Sequence, residues 1–537
     1  MMFTGVSSLV VAILPALSYA APSSSGKQYN NSTCRRTTVA IIGGGVAGIT
    51  AAQALANQSV TDFLILEYND GIGGRMRNTK LGSDENGLPY TVELGANWIS
   101  GLSVEGGPEN PVWTFSKQVN LSSAYSDTSS ILTYDSTGYT NYSDIIDEYE
   151  EYWTAFEQDA GTILSENLQD RSMRAGLWQS GWRPKQDAQR KAVEWWMWDW
   201  ETAQTPEESS FVFGIAGYNL TYYGFSEDSN FSVDQRGFNA WLKGQASKFL
   251  TANDTRLLFN SVVTGIKYSD TGVTITNDDG SCIQADYAIN TVSLGVLQSD
   301  VITFTPELPS WKQDGIATFS MGTYTKIFYQ FNETFWPEDT QFFLYAHPTT
   351  RGYYPVWQSL STTDFLPGSN IIFATVVDEQ SYRVEAQDDE TTKAEGLAVL
   401  RQMFPDIDIP EPVAFTYPRW TQTPWTYGSY SNWPTGTTLE MHQNLRANVG
   451  RLYFAGEATS AEYFGFLHGA WFEGREAGEK IAGMITKDCK NLESGCDEYV
   501  AYEVLHGTTE LEEYNAENGM GESPFYVAGG GAEEEGA

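Results

Sequence analysis

The run from Val39 to Arg75, VAIIGGGVAGITAAQALANQSVTDFLILEYNDGIGGR, constrains the fold more than any other stretch. Val39-Ala40-Ile41-Ile42 is a short apolar run that reads as a buried strand. It opens directly into Gly43, Gly45 and Gly48 at G-x-G-x-x-G spacing. An alanine-rich helix follows, then a second apolar strand, Phe63 to Leu66, that ends in Glu67. Strand, glycine turn, helix, strand and acid in that order make a dinucleotide-binding unit. Gly43 permits the tight turn, Gly45 lets the backbone approach a pyrophosphate, and Gly48 lets helix and strand pack closely. The helix N-terminus turns unpaired N–H groups and a partial positive charge toward the phosphates. Glu67 can accept hydrogen bonds from a ribose diol, and its charge disfavours a 2′-phosphate. Gly71-Ile72-Gly73-Gly74-Arg75 is a glycine turn that delivers Arg75 beside the Glu67 strand, where it can hold a phosphate.

Charge narrows the partners. The chain has 537 residues and a net charge of −38. Nucleic acid and anionic membranes are poor partners for such a chain, and a cation would be drawn to it. Eleven of the acids lie after Cys496, where there is no Lys or Arg, so residues 497–537, rich in Gly and Glu, read as a disordered acidic tail. The first 20 residues read as a signal peptide: an apolar run from Val6 to Leu17, then Ser18-Tyr19-Ala20 with small residues at both recognition positions. Asn-x-Ser/Thr sequons at Asn30, Asn31, Asn57, Asn120, Asn141, Asn219, Asn230, Asn253 and Asn332 point the same way, to a secreted glycoprotein. Four cysteines, Cys34, Cys282, Cys489 and Cys496, allow three pairings, all open at this level. No cysteine or histidine cluster suggests a metal, and no other stretch is apolar enough to span a membrane.

Helical spacing marks Asp144 to Glu166 and Lys185 to Trp200, the latter ending in Glu194-Trp195-Trp196-Met197-Trp198-Asp199-Trp200-Glu201. Gly214 to Phe231 reads as a loop or strand pair, and Glu385 to Met403 as one helix. Alternation marks strands around Val262 to Ile275, at Tyr324 to Phe331 and at Ile371 to Val377. Pro424 to Pro434 is an aromatic loop. Arg451 to Glu457 reads as a strand ending in Gly456-Glu457, and Gly469 to Ile485 as a helix. Lys326 stands in mid-strand among apolar neighbours, a position that makes a lysine either a snorkelling edge residue or a functional one.

The pieces VAIIGGGVAGI, LILEYNDGIGGRM, VELGANWI, TYTKIFYQFNETFWP, GSYSNWP and RLYFAGEATSAEYFGFLHGAWFEGREAGEKI resemble the flavin-containing amine oxidases, and within them the secreted plant-type and fungal polyamine oxidases. The resemblance implies an α/β, two-domain FAD/NAD(P)-binding Rossmann-like fold. Its FAD domain would be discontinuous (36–122, 232–300 and 420–487), and its substrate domain (123–231 and 301–419) a mixed sheet flanked by helices. It implies non-covalent FAD, because Tyr463-Phe464-Gly465-Phe466 carries no cysteine. Gly43, Gly45, Ala47, Gly48, Glu67, Gly74 and Arg75 would hold the ADP half, with Val263 at the adenine. Gly95, Ala96, Asn97, Trp98, Trp420, Phe466 and Leu467 would pass the isoalloxazine, and Gly456 and Glu457 the ribityl–pyrophosphate region. Lys326 would be the catalytic lysine, linked through water to flavin N5. Tyr430 and Phe466 would form an aromatic sandwich around the amine, and Glu201 would pair with a remote ammonium. One position departs from the pattern: after Gly95-Ala96-Asn97-Trp98-Ile99, where relatives carry an acid or a histidine, this chain has Ser100. The expected reaction is oxidation of spermine, spermidine or acetylated forms by O2 in a monomer. The rival readings are a monoamine or L-amino-acid oxidase, or a non-catalytic flavin and polyamine binder.

Overall fold

In the computed structural model the described residues are 34–489 apart from residue 167, together with residue 496 and residues 499–503. The expected signal segment and the sequons at Asn30 and Asn31 lie outside them.

An eight-stranded sheet carries the dinucleotide unit. Its strands run in the order Leu257–Leu258, Phe63–Leu66, Arg35–Ile42, Cys282–Asn290, Gly272–Asn277, Val263–Ser269, Thr303–Thr305, and Leu452–Phe454 pairs with the second half of Cys282–Asn290. The core pairings are parallel, as alternating strand and helix require: Val39 lies opposite both Phe63 and Tyr287. Strand residues are apolar on both faces because helices cover both. Thr303–Thr305 carries this sheet past residue 300. A disulfide between Cys34 and Cys282 ties the first strand to its neighbour where Arg35 meets Ile283. The second disulfide joins Cys489 and Cys496.

A seven-stranded mixed sheet forms the other layer. Its order is Ala414–Thr416, Tyr324–Gln330, Ile371–Val377, Val356–Ser359, Phe342–Ala346, Ile131–Asp135, Gly138–Tyr139. Only Phe342–Ala346 with Ile131–Asp135 is parallel. The helix Asp389–Met403 packs on it, with Leu397, Leu400 and Met403 buried against Tyr329 and Trp357. A small sheet of Trp98–Ser100, Ser229–Ser232 and Ser123–Tyr125 joins segments that are distant in the chain.

Four expectations are corrected. Gly214 to Phe231 is mostly helix, Phe211–Phe225, capped by Ser210, whose hydroxyl accepts from the Phe213 N–H at 3.0 Å. Its sequence is apolar nearly all round because it is buried nearly all round, so the 3.6-residue period is invisible. Glu385 to Met403 is two helices, Asp378–Ala386 and Asp389–Met403, the second capped by Asp388. The tail does not begin at 497: Tyr499 is buried, and residues 499–503 dock through Asn448 and through the reciprocal pair Asn444–Tyr502 at 2.7 and 2.8 Å. The sequon at Asn219 is fully buried at 0% exposure and cannot carry a glycan, whereas Asn57, Asn120, Asn141, Asn253 and Asn332 are exposed.

Candidate active site

One cavity of about 910 Å³ runs from the glycine turn to the aromatic residues of the second layer. At the glycine end, Gly43 adopts φ +112° and closes the turn through its N–H to the Leu66 carbonyl at 2.7 Å. A Cβ on Gly48 would lie 2.0 Å from the Gly43 oxygen, so only glycine fits there. Gly474 of the C-terminal helix Leu467–Thr486 would place a Cβ 2.2 Å from the Ala47 oxygen, which lets that helix press against the nucleotide helix Val46–Asn57. The nucleotide helix has no side-chain cap, which leaves its first N–H groups for a ligand. Gly45 meets only Gly74 at 4.0 Å, and Gly456 has open space where a Cβ would be, so backbone forms the wall of the cavity at both.

Glu67 folds back onto the turn. It accepts from the Gly44 N–H at 2.6 Å and from the Asn69 main chain and side chain at 2.8 Å, and still lines the cavity. Arg75 lines the cavity as well, with one guanidinium nitrogen held by Glu457 at 2.7 Å and by the Ser429 carbonyl at 3.0 Å. Glu457 in turn accepts from the Ser431 hydroxyl at 2.6 Å and the Gly465 N–H at 2.9 Å. This buried network stitches the glycine turn to the late segments around Gly456 and Gly465. Val263, Ala47, Gly95, Ala96, Asn97, Trp98, Trp420 and Leu467 line the same wall. A cradle of bare backbone, a helix N-terminus, an acid and an arginine fit an adenine dinucleotide with its pyrophosphate.

Lys326 is 1% exposed on the strand Tyr324–Gln330. Its ammonium donates to the Gly95 carbonyl at 2.5 Å and the Asn97 Oδ1 at 2.8 Å and stands 5.4 Å from the Trp98 ring. It is therefore one layer behind the cavity wall, gripping the residues that form it, and is not itself a lining residue. Burial lowers its pKa, opposed by the negative charge of Glu93. Burial raises Glu93, whose carboxyl also accepts from the Phe238 N–H at 2.7 Å. Tyr324, two residues before Lys326 and on the same face of the strand, does line the cavity. Simple two-residue alternation would have found it.

Glu201 reaches the cavity by an unusual route. The helix Ala188–Glu194 widens into a π-turn, Trp195–Asp199, and continues as Trp200–Thr202. Glu194 pairs with Arg174 at 2.5 Å and Asp199 pairs with Arg351, which hold both ends of the turn. Glu201 then faces the cavity, where Tyr222 of the helix Phe211–Phe225 donates to its Oε1 at 2.9 Å. Tyr430 donates to the Glu201 main-chain carbonyl at 2.8 Å. Burial raises the Glu201 carboxyl to about 7, partly offset by the Tyr222 hydroxyl.

Phe466 lines the cavity and stacks on His468, with ring centroids 5.0 Å apart. Asn110 donates to Nδ1 of His468 at 3.3 Å, and Nε2 meets the Thr221 hydroxyl at 3.2 Å. Burial drops the imidazole to about 3, so His468 is a neutral spacer behind Phe466. Gly214 and Gly217 make room on the central helix: a Cβ there would lie 2.4 Å from the Trp198 ring and 2.8 Å from Phe464. Ser100 and Tyr222 both line the cavity. Exposed Asp147, Glu150 and Glu227 line the mouth. Sequence reasoning missed Tyr222, Tyr324 and His468. Tyr222 was hidden by the misread helix.

The family model for flavin-containing amine oxidoreductases matches residues 46–482. Polyamine oxidase 7 of Oryza sativa subsp. japonica is 39% identical over 455 residues, covering 82% of this chain and 93% of the relative. Polyamine oxidase 1 of Zea mays is 38% identical over 474 residues, covering 84% and 92%. Among solved structures, wild-type putrescine oxidase bound to putrescine shares the fold, with a TM-score of 0.64, 18% identity and coverage of 85% of this chain and 100% of that one.

Proposed function

The chain belongs to the flavin-containing amine oxidoreductases, and from that premise we propose that it oxidises polyamines (spermine, spermidine or their acetylated forms) with FAD as non-covalent cofactor and O2 as acceptor. The observation that carries the substrate class is Glu201: a cavity-facing carboxylate beside Tyr430 and Phe466, with no cation paired to it among the described residues. Such a group awaits an ammonium.

Gly43, Gly45, Gly48, Glu67, Arg75 and Glu457 would hold FAD, and Gly95 to Trp98 with Trp420 would line its reactive half. When bound, FAD supplies the two-electron oxidation, taking hydride from the carbon beside the amine and passing the electrons to O2 as H2O2. The reacting nitrogen must be neutral, so that its lone pair assists. The oxidised amine is an imine, which water hydrolyses to an aminoaldehyde and a shorter amine. Tyr430 and Phe466 orient the chain and exclude water, and their faces favour a cation. Lys326 fixes the Gly95–Asn97 wall, and its burial favours the neutral amine, opposed by the charge of Glu93. The carboxylates at the mouth would gather a polycation.

A peroxide assay with spermine, spermidine, N-acetylated polyamines, alkylamines and amino acids tests this reading, and mass spectrometry of the products assigns the carbon oxidised. Peroxide from polyamines is expected. Flavin absorbance without peroxide from any amine would favour a binder. Peroxide from amino acids alone would favour the amino-acid oxidase, which needs a cation for the substrate carboxylate. Among the described residues Arg75 is the only Lys or Arg lining the cavity, and it is engaged by Glu457.

The reading includes secretion of a monomeric glycoprotein, supported by the apolar leader, the disulfides and the exposed sequons. Recovery from culture medium, a mass decrease on endoglycosidase treatment and light scattering test it.

A further inference from the structure

Among the described residues the Glu201 carboxylate has one donor, and that donor is tied to the rest of the slot. Tyr222 donates to Oε1 at 2.9 Å, and its ring meets Phe466 edge-on with centroids 6.2 Å apart at 83°. On the other side Tyr430 holds the Glu201 main chain at 2.8 Å. The carboxylate is thus coupled to both rings of the aromatic slot through two tyrosine hydroxyls. Oε2 has no hydrogen-bond partner among the described residues, and Glu201 lines the cavity. The titratable groups facing it are Tyr222, Tyr324 and Tyr430, none of them a cation.

We propose that Tyr222 is the positioning residue that aims Glu201: it occupies one carboxylate oxygen and leaves the other for the remote ammonium of the substrate. This rests on the amine-oxidase reading above. The chemistry favours a tyrosine in that place. A lysine or arginine would neutralise the carboxylate and repel the incoming cation, whereas a phenol fixes its direction and keeps its charge. The single charge then discriminates between amines that carry a second cationic group and those that do not.

The test is Tyr222→Phe in the flavin-loaded protein, with spermidine and an unbranched alkylamine of similar length. Each is read as KM where oxidised and as a competitive inhibition constant where not. The preference for spermidine over the alkylamine is expected to fall about ten-fold, with the change in KM exceeding that in kcat. Tyr222→Leu, which also removes the hydroxyl, should move the same ratio in the same direction, and it serves as the second arm if Tyr222→Phe loses flavin. Polyamine turnover with an unchanged ratio in either folded variant, or equal losses with both amines, overturns the inference and leaves the function standing. Wild-type protein that binds flavin but forms no peroxide from any amine overturns the function itself.

Discussion

The two ends of the cavity are built by different means. At the glycine end the wall is main chain: Gly43, Gly45, Gly74 and Gly456 present backbone, and one chain segment of under forty residues supplies most of it. At the amine end the wall is side chains, and Ser100, Glu201, Tyr222, Tyr324, Tyr430 and Phe466 arrive from six separate places. The first end is specified by close backbone: a Cβ on Gly48 would collide with the Gly43 carbonyl, and a Cβ on Gly456 would project into the open space. The second is specified by hydroxyls that hold one carboxylate and two rings. A backbone site tolerates almost no substitution and binds one cofactor. A side-chain site can be retuned residue by residue.

Substitutions at each end should therefore fail differently. The largest effect is expected at Gly48→Val, where the new side chain meets the Gly43 carbonyl with no flexible atom to yield. Purified protein should have lost its visible flavin spectrum, and retained flavin would break the contrast. Lys326→Met comes next. It should keep flavin and slow turnover by about ten-fold or more, a barrier increase of about 1.4 kcal/mol or more, in stopped-flow reduction and reoxidation. Unchanged rates in both half-reactions would remove the lysine from the mechanism.

Glu201→Gln should raise the KM for spermidine about five-fold while sparing flavin content. It also carries a stability signature. The folded carboxyl titrates at about 7 against an ordinary value of 4.5, so ionisation costs the native state stability as pH rises between these values. Without amine present, the variant should melt higher than wild type at pH 8 and show no advantage at pH 4. An advantage independent of pH would mean that the carboxylate is not buried as described. Ser100→Glu should give the smallest change. It places a second acid in the cavity lining and should lower the KM for spermine relative to spermidine about two-fold.

The same contrast explains what was legible in the sequence. The dinucleotide unit has its signals within one local run, and the strands, the turn and the helix lie where that run places them. Lys326 was conspicuous because a cation in an apolar strand is rare, although its position behind the wall depends on Gly95 and Asn97, more than two hundred residues away. Glu201 looked like a helix-end charge until Tyr222 and Tyr430 closed on it. Tyr222 was invisible because a helix buried on every face loses its period, and local patterning then cannot separate it from loop or strand. The docking of Tyr499 was masked by the acidic composition around it. Its anchor is a ring over the buried Arg446 guanidinium at 4.4 Å, a contact that composition does not record.

The π-turn at Trp195–Asp199 also sets a phase. A π-turn holds one residue more than a regular turn, so every residue after it is displaced about 100° around the axis from where an uninterrupted α-helix would put it. Glu201 is two residues downstream. Closing Trp195–Asp199 into a regular α-turn at unchanged length would swing Glu201 out of line with Tyr222, without changing any group that touches the amine, whereas deleting one residue along with the wide turn would restore the phase. The orientation of the carboxylate is therefore set by the winding of a turn two residues away, held by the buried Asp199–Arg351 pair, and substitutions that release that pair can disarm Glu201 without touching it.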